Sequence, residues 1–116
     1  MKKINWNFHR LILLFLFFLL AYTEGHSQNF RFWHLSTENG LSNSDVNTIF
    51  QDSQGFMWFG TVDGLNRYDG YEMKIYRKNM PNTEGLNSNF ITTINEDKLG
   101  NIWIGNQDGL AKYNRN

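Results

Sequence analysis

The chain has 116 residues, 11 basic and 11 acidic side chains, and no cysteine. Its length allows at most one small domain. A net charge of zero without a basic run argues against a non-specific nucleic-acid surface, and the absence of cysteine excludes a disulfide framework, a thiolate metal site and a lipid-anchored cysteine.

The N-terminal segment has the charge and hydropathy of a secretory signal peptide. Lys2, Lys3 and Arg10 form a positive region, and an unbroken apolar run occupies residues 11–20. As a helix this run measures roughly 15 Å, about half of the roughly 30 Å hydrocarbon core of a bilayer. We therefore predict a signal peptide at residues 1–27 that directs the rest of the chain out of the cytoplasm.

The end of this segment predicts where the peptide is cleaved. Gly25 and Ser27 place small side chains at positions −3 and −1 before Gln28, which favours cleavage after Ser27. Residues 22–24 (YTE) blur this pattern, so an uncleaved membrane anchor is the alternative. In both arrangements the chain from Gln28 onward is expected to lie outside the cytoplasm.

Residues 28–39 are predicted to form a strand and a turn. Residues 30–35 (FRFWHL) alternate bulky apolar with polar side chains, as strands do, and the residues that follow have turn composition. His34 stands alone on this strand. Because a zinc site requires three or four converging ligands, no metal site is expected here.

A repeat with a spacing of 45 residues organises the rest of the chain. The stretch DSQGFMWFGTVDGL at residues 52–65 recurs without a gap as DKLGNIWIGNQDGL at residues 97–110. Across residues 40–70 and the copy 45 positions later, 12 of 31 residues are identical. A period in the mid-forties with strand-like content is typical of a β-propeller blade.

Each repeat predicts short antiparallel strands joined by turns that are rich in Asp and Gly. In the first repeat the strands are expected at residues 46–51, 56–60, 65–68 and 71–77. In the second repeat they are expected at residues 91–96, 101–105 and 110–113, and a fourth strand is missing before the sequence stops at Asn116.

These elements predict an all-β fold, a partial β-propeller of about two four-stranded antiparallel blades, the second incomplete, behind an N-terminal signal helix. Blade 1 is assigned to residues 40–84 and blade 2 to residues 85–116. Residues 30–35 stand where a fourth strand stands relative to the following Gly-Leu pair. Residues 28–39 are therefore predicted to be a blade-closing strand and turn, which in a complete propeller pairs with the last blade.

The residues that recur in both blades are interpreted as scaffold. Asp and Gly suit the turns, and the Trp residues suit a core between blades. A Gly two positions after each Trp is expected to leave room for a large ring from the adjacent sheet. The scaffold positions are Asp52, Gly55, Trp58, Gly60, Asp63, Gly64, Asp97, Gly100, Trp103, Gly105, Asp108 and Gly109.

Catalytic and sugar-stacking interpretations of the same residues are less favoured. Glycoside hydrolysis uses two carboxylates about 5–9 Å apart, but each recurrent Asp stands in a turn, where capping is the ordinary role. A Trp that recurs in both blades suits a core better than a sugar platform. No nucleophile elbow, phosphate loop or dinucleotide fingerprint occurs, so no catalytic residue and no cofactor is predicted.

A ligand surface is expected in the loops at one end of the blades. These loops differ most between the two repeats, as binding loops on a rigid scaffold do. The candidate ligand residues are Asn43, Asp45, Thr61, Asn89, Asn106 and Gln107. Ordinary solvated turns are the alternative for each of them.

The first repeat resembles the two-component regulator propeller repeat. The resemblance rests on GLSN at residues 40–43, VNTI at 46–49, DSQGFMWFGT at 52–61 and DGLNRYDG at 63–70. Residues 30–114 are similar to the extreme N-terminus of the periplasmic sensor of Bacteroidetes-type hybrid two-component sensor histidine kinases.

The resemblance implies a much larger parent protein. Such proteins combine one or two seven-bladed propellers, an immunoglobulin-like linker domain, a membrane helix and a histidine kinase, often with a receiver and a DNA-binding helix-turn-helix. Many sense oligosaccharides and switch on genes for polysaccharide use. The resemblance thus implies an oligosaccharide ligand at the blade loops and a dimeric parent anchored in the inner membrane. This sequence has no kinase or DNA-binding motif, so neither enzyme activity nor nucleic-acid binding is expected of it.

Three functions remain open from the sequence. The chain is the N-terminal fragment of such a sensor, the start of a secreted glycan-active propeller hydrolase or lyase, or a truncated product without function. In the last case we expect poor folding and association, because repeat arrays generally need three or more units to bury a continuous core and open strand edges pair with other chains.

Overall fold

The computed structural model describes Lys3, residues 6–21 and residues 28–115. The chain divides into two units, Met1–Phe32 and Trp33–Asn116. Over the described residues the first unit contains one α-helix, and the second contains a short 3₁₀ helix and seven strands.

Helix α1 (Trp6–Ala21) has 16 residues and covers the apolar run. Its large apolar side chains from Trp6 to Leu20 are exposed on every side of the helix, as expected of a segment that is not built for the core of a globular domain. Among the described residues no helix has the length and apolar character needed to cross a membrane. The predicted cleavage residues Gly25 and Ser27 lie outside the described residues.

The second unit contains two antiparallel sheets, one for each sequence repeat. Blade 1 has the strand order β1-β2-β3-β4, and blade 2 has the order β5-β6-β7. The strands are β1 (Val46–Gln51), β2 (Met57–Thr61), β3 (Gly64–Tyr68), β4 (Met73–Tyr76), β5 (Ile91–Glu96), β6 (Ile102–Asn106) and β7 (Gly109–Tyr113). The prediction of an all-β partial propeller with an incomplete second blade is confirmed, and every strand predicted within the two repeats is present.

The two sheets share the same irregularity in the pairing of their first two strands. In blade 1 the register between β1 and β2 shifts between Val46 and Thr48, and in blade 2 the register between β5 and β6 shifts between Ile91 and Thr93. A bulge increases local twist and bends the strand. Because it falls at the same repeat position, both blades are twisted in the same way and are able to stack.

The strand predicted at residues 30–35 is not formed. Residues 28–36 have no helix or strand, and Thr37–Asn39 form a 3₁₀ helix in which Ser36 and Asn39 make a capping box. The alternation of side chains is compatible with a strand, but a strand also needs a partner for its backbone N–H and C=O groups. Neither described sheet pairs with residues 30–35.

The core lies between the two sheets. Trp58, which is fully buried, stacks on Tyr76 with 6.1 Å between ring centroids and meets Tyr113 of blade 2 edge-on at 5.3 Å. Burial of a Trp removes roughly 200 Å² from water and contributes about 5 kcal/mol by the area rule. The remaining core residues are Leu65, Ile91, Ile94, Ile102, Ile104 and Ala111.

Gly60 allows close contact between the blades, but the predicted occupant of the space was wrong. A Cβ built on Gly60 would lie 2.5 Å from Ile91 Cγ2 and 2.6 Å from Thr48 Cγ2. In blade 2 a Cβ on Gly105 would meet Thr93 Cγ2 at 2.5 Å. The space is therefore filled by β-branched side chains of strands β1 and β5 and not by an aromatic ring, because β5 packs directly over β1 and β2.

We predict that Gly60→Ala destabilises the second unit by about 1–3 kcal/mol, the usual cost of overpacking a close-packed core. The free energy of unfolding is measured by urea titration. The cost is expected to shrink when Gly60→Ala is introduced into an Ile91→Ala, Thr48→Ser background, which lacks both obstructing methyl groups. An equal cost in the two backgrounds contradicts the assignment.

Candidate functional site

The candidate ligand loops of both blades lie at one edge, which we call the loop edge (residues 42–45, 61–64, 87–90 and 106–109). In blade 1, Val62 N donates to Asp45 O at 3.2 Å, and in blade 2, Gln107 N donates to Phe90 O at 3.1 Å. Between the blades, Gly64 N donates to Asn89 O at 2.7 Å. These backbone bonds hold the loops of the two repeats side by side.

Thr61 is part of the framework of the loop edge and is closed to ligands. Its side chain is fully buried. Its Oγ1 lies 2.7 Å from Ser42 Oγ, donates to Gly64 O at 3.0 Å and accepts from Asp63 N at 3.1 Å. The sequence placed Thr61 in a variable loop, but a hydroxyl with three protein partners has no capacity left for an external ligand.

Asn106 occupies the same place in blade 2 and is also buried. Its Nδ2 donates to Asn87 Oδ1 at 2.9 Å, and its Oδ1 accepts from Asp108 N at 3.0 Å. Asn87 and Asn106 are the counterparts of Ser42 and Thr61 at the 45-residue spacing. We call each such pair the loop latch of its blade, because it ties the loop before the first strand to the turn after the second.

Asn43 and Asn89 use their side-chain oxygens to shape the loops. Asn43 Oδ1 accepts from Asp45 N at 2.8 Å, which is an Asx turn. Asn89 Oδ1 accepts from Lys78 N at 2.7 Å. This bond connects the loop before the first strand of blade 2 to the segment that follows the last strand of blade 1. Both side chains are half-buried.

Asp45 and Gln107 are the two candidates whose side chains are exposed at the loop edge. Each lies next to a backbone bond that fixes its loop, Val62 N to Asp45 O and Gln107 N to Phe90 O. An anchored backbone with an outward polar side chain is the arrangement that binding loops on rigid scaffolds use. These two residues are therefore the best placed of the six for ligand contact.

Two polar residues of this edge escaped the sequence reasoning. Asn66 is fully buried; its Oδ1 accepts from Ser42 N at 2.8 Å, and its Nδ2 donates to Ser42 Oγ at 2.8 Å and to Phe59 O at 3.1 Å. Arg77 donates to Asp63 O and pairs with Asp63 Oδ2, both at 3.0 Å. For Asn66 the sequence does offer a signal, because this position of β3 is polar whereas its counterpart in the second repeat is Ala111.

At the opposite end of the blades, Asp52 organises the turn between β1 and β2. Its Oδ1 accepts from Gln54 N at 2.9 Å and from Phe56 N at 3.0 Å, and its Oδ2 accepts from the indole N–H of Trp58 at 2.7 Å. The carboxylate is buried. One side chain thus caps a turn and fixes the orientation of the central Trp of the core.

Asp97 repeats this arrangement in blade 2. Its Oδ1 accepts from Leu99 N and Asn101 N, both at 2.9 Å, and its Oδ2 accepts from the Trp103 indole at 2.8 Å. The side chain of Asn101 and the Trp103 indole, helped by the two backbone N–H groups, hold the pKa of Asp97 well below its usual value. Carboxylates held ionised by fixed donors are poor candidates for proton transfer to a glycosidic oxygen.

An ionic clamp joins the turn of blade 1 to the end of blade 2. Arg115 Nη2 lies 2.8 Å from Asp52 Oδ2, and Arg115 Nη1 lies 3.3 Å from Glu96 Oε1. The Glu96 carboxylate in turn accepts from Ser53 N at 2.7 Å and from Ser53 Oγ at 2.6 Å. Asp52 of blade 1 and Glu96 and Arg115 of blade 2 thereby form one charge network that is largely shielded from solvent.

Within residues 6–21 and 28–115, no group of three or more His, Asp or Glu side chains is arranged to hold a metal ion.

Comparison with known proteins finds relatives of these blades. The model of the two component regulator propeller family matches residues 40–63 and 85–108. The chain is 43% identical over 68 residues to histidine kinase P4 of Formosa agariphila, a stretch that covers 59% of this chain and 5% of that protein.

Two solved structures share the fold. The extracellular domain of a hybrid two component system of B. thetaiotaomicron is 38% identical, with a TM-score of 0.62, and the match covers 71% of this chain and 12% of that one. The extracellular domain of a one component system of the same organism is 27% identical, with a TM-score of 0.58, and the match covers 69% and 12% of the two chains. The chain therefore spans a small part of each relative.

Asp52→Ala is predicted to destabilise the second unit by about 3–5 kcal/mol, because it removes two turn bonds, leaves the Trp58 indole buried without its acceptor and takes away one of the two carboxylates that pair with Arg115. Asp69→Ala is the matched control. Asp69 Oδ1 also accepts two backbone N–H groups, from Tyr71 and Glu72, but in an exposed turn. Equal losses of unfolding free energy in the two variants would show that the Trp and Arg contacts contribute nothing.

The low pKa of Asp97 predicts a pH dependence of stability. A carboxyl group whose pKa is lower in the folded than in the unfolded chain stabilises the fold above its usual pKa of 3.8, and this contribution disappears as the pH falls through the folded value. We expect the stability difference between the wild type and Asp97→Asn to be larger at about pH 6 than at about pH 2. Urea titrations across this range test it, and a difference that is independent of pH contradicts it.

Proposed function

Because the chain carries two repeats of the two-component regulator propeller, we propose that it forms the beginning of a ligand-sensing propeller on the outer side of the cytoplasmic membrane. The observation that carries this proposal is the coincidence of repeat and blade. The matched segment at residues 40–63 contains β1 and β2, and the matched segment at residues 85–108 contains β5 and β6. Both structural relatives are extracellular domains.

Export is proposed to depend on α1. A basic segment followed by 16 residues of helix with exposed apolar side chains is what a secretory signal presents to the export machinery. In this arrangement the blades fold in the periplasm, and the larger parent protein is anchored in the inner membrane.

The ligand is proposed to bind at the loop edge and to be an oligosaccharide. Sugars offer many hydroxyl groups that both donate and accept, so they suit surfaces with amide and carboxylate side chains on fixed backbone. Asp45 provides acceptors, and Gln107 provides both donors and an acceptor. Their loops are connected through three backbone bonds, Val62 N to Asp45 O, Gly64 N to Asn89 O and Gln107 N to Phe90 O. A ligand that touches both residues would therefore sense the relative position of the two blades.

The role of this chain is proposed to be binding and not turnover. The carboxylates of Asp52 and Asp97 are engaged by turn N–H groups and by indoles, and Asp63 is engaged by Arg77. None of these three carboxylates is therefore free to take the separate acid or base role that glycoside hydrolysis requires.

In the parent protein we propose that ligand binding is passed to a histidine kinase. The chain matches only 5% of the length of histidine kinase P4, so the kinase step, the phosphorelay and the control of transcription belong to other parts of such a parent. A dimeric parent in the membrane provides the two kinase subunits between which a change of propeller position is transmitted.

Gln107→Ala is predicted to weaken binding of an oligosaccharide about tenfold, the loss expected when one or two hydrogen bonds to a neutral ligand are removed. Gln54→Ala is the matched control, since Gln54 is exposed in the turn at the opposite end of blade 1. Binding is measured by calorimetry with a set of neutral and acidic oligosaccharides of defined linkage. If no sugar binds, or if Gln54→Ala weakens binding as much as Gln107→Ala, the loop edge is not the site.

A further inference from the structure

Asn89 of blade 2 binds blade 1 through both of its oxygen atoms. Its backbone O accepts from Gly64 N, and its side-chain Oδ1 accepts from Lys78 N, each at 2.7 Å. Gly64 is the first residue of β3, and Lys78 follows the end of β4. One residue of blade 2 therefore contacts two neighbouring strands of blade 1 where both reach the loop edge.

The part of blade 1 that receives Asn89 is held together by an ion pair. Arg77 donates to Asp63 O and pairs with Asp63 Oδ2, both at 3.0 Å. Arg77 directly precedes Lys78, and Asp63 directly precedes Gly64. The two backbone donors that bind Asn89 are therefore fixed relative to each other.

The loop of blade 2 that carries Asn89 is fixed by its own side chains. Asn87 Nδ2 donates to Asp108 O at 2.9 Å, which ties the loop to the turn after β6. Ser88 is buried, and its Oγ accepts from Phe90 N at 3.2 Å. Because both neighbours of Asn89 are held within blade 2, a shift of Asn89 against blade 1 moves the whole loop edge of blade 2 with it.

Asn89 connects the two exposed residues of the proposed ligand site. Asp45 O accepts from Val62 N, in the turn that leads to Gly64, and Phe90 O, next to Asn89, accepts from Gln107 N. The separation of the Asp45 and Gln107 side chains therefore depends on how Asn89 sits against blade 1.

A further hydrogen bond between the blades at this edge acts on a strand and not on the ligand loop. Asn47 Nδ2 donates to Ile91 O at 2.9 Å, and Ile91 is the first residue of β5. This bond holds β5 beside blade 1, whereas the two bonds of Asn89 hold the loop that precedes β5.

We propose that Asn89 is the positioning residue of the loop edge: it sets the separation of Asp45 and Gln107, and a ligand that contacts both strengthens the two Asn89 bonds in return. This inference rests on the ligand site proposed above. The return effect follows from linkage, because a contact that favours ligand binding is itself favoured by the bound ligand. The strengthened junction between the blades is then the signal that the ligand produces in this part of the molecule.

The absence of cysteine allows the separation to be measured with two spin labels. The labels are attached to an Asp45→Cys, Gln107→Cys chain, and the distribution of distances between them is measured by electron paramagnetic resonance without any ligand. Asn89→Leu removes the acceptor of Lys78 N and is expected to broaden or shift the distribution, and Asn89→Ala is expected to do the same. Asn89→Asp keeps an oxygen acceptor and is expected to leave the distribution unchanged.

Ser53→Ala is the matched control for the label distances. It removes the hydrogen bond from Ser53 Oγ to Glu96 Oε1 at 2.6 Å, which also joins the two blades but lies at the opposite end. It is expected to leave the distances unchanged. A distribution that is the same in Asn89→Leu, Asn89→Ala and wild type overturns the inference, and so does equal broadening in Ser53→Ala.

Hydrogen exchange of the Lys78 amide tests the return effect of the ligand. The probe is the tightest-binding member of the set of neutral and acidic oligosaccharides. It is expected to slow exchange of the Lys78 amide in the wild type about fivefold, the factor that corresponds to one hydrogen bond between neutral groups, and to bind Asn89→Leu about fivefold more weakly.

An oligosaccharide that binds the wild type and Asn89→Leu equally, or that leaves the exchange of Lys78 unchanged, overturns the inference while the proposed ligand site stands. If the wild type binds none of the oligosaccharides, the proposed function fails, and the label distances alone decide the role of Asn89.

Discussion

The hydrogen bond from the Trp58 indole to Asp52 is the contact on which the geometry of the blades depends. A propeller blade is a sheet whose two faces are covered by neighbouring blades. The aromatic ring at its centre, here that of Trp58, has to be held at a defined angle so that the next blade can pack against it. Asp52 achieves this because the same carboxylate closes the tight turn and receives the indole N–H. Local turn geometry and the packing between blades are therefore set by one side chain, and Asp97 and Trp103 repeat the arrangement.

The contacts between blades are less regular than the blades themselves. Arg115, Glu96 and Ser53 form the ionic clamp, yet the counterparts of Ser53 and Arg115 at the 45-residue spacing are Lys98 and Gly70. The stacked core therefore rests on residues that the repeat preserves, whereas the charge network between the two blades rests on residues that it does not preserve. Such differences let the order of blades be specified, since a given pair of faces matches only its own neighbour.

The strands and their order were predictable because their causes are local and repeated. Alternating side chains, turn Asp and Gly residues, and a fixed period together determine where each strand begins and which strand it follows. Residues 30–35 show the limit of this reasoning. Their alternation predicts a strand, but a strand also needs a partner edge, and neither described sheet pairs with them.

The candidate ligand residues show a different limit. Variability between repeats selected Thr61 and Asn106 as loop residues, but both are buried in the loop latches, and variability there reflects a change of hydrogen-bonding partner. The sequence cannot distinguish a residue that varies because it faces a ligand from one that varies together with a neighbour. Asn66, which no pattern singled out, is explained only when Ser42 is seen to bind both ends of its amide.

The loop latches have a consequence for how such repeats evolve. At the same two repeat positions, a pair of hydroxyl groups in blade 1 and a pair of amide groups in blade 2 each join two loops by a hydrogen bond. A duplicated blade therefore diverges by compensated steps, in which a change at one position is tolerated once the other has followed. The framework keeps its shape through this drift, and the exposed residues beside it are free to vary independently.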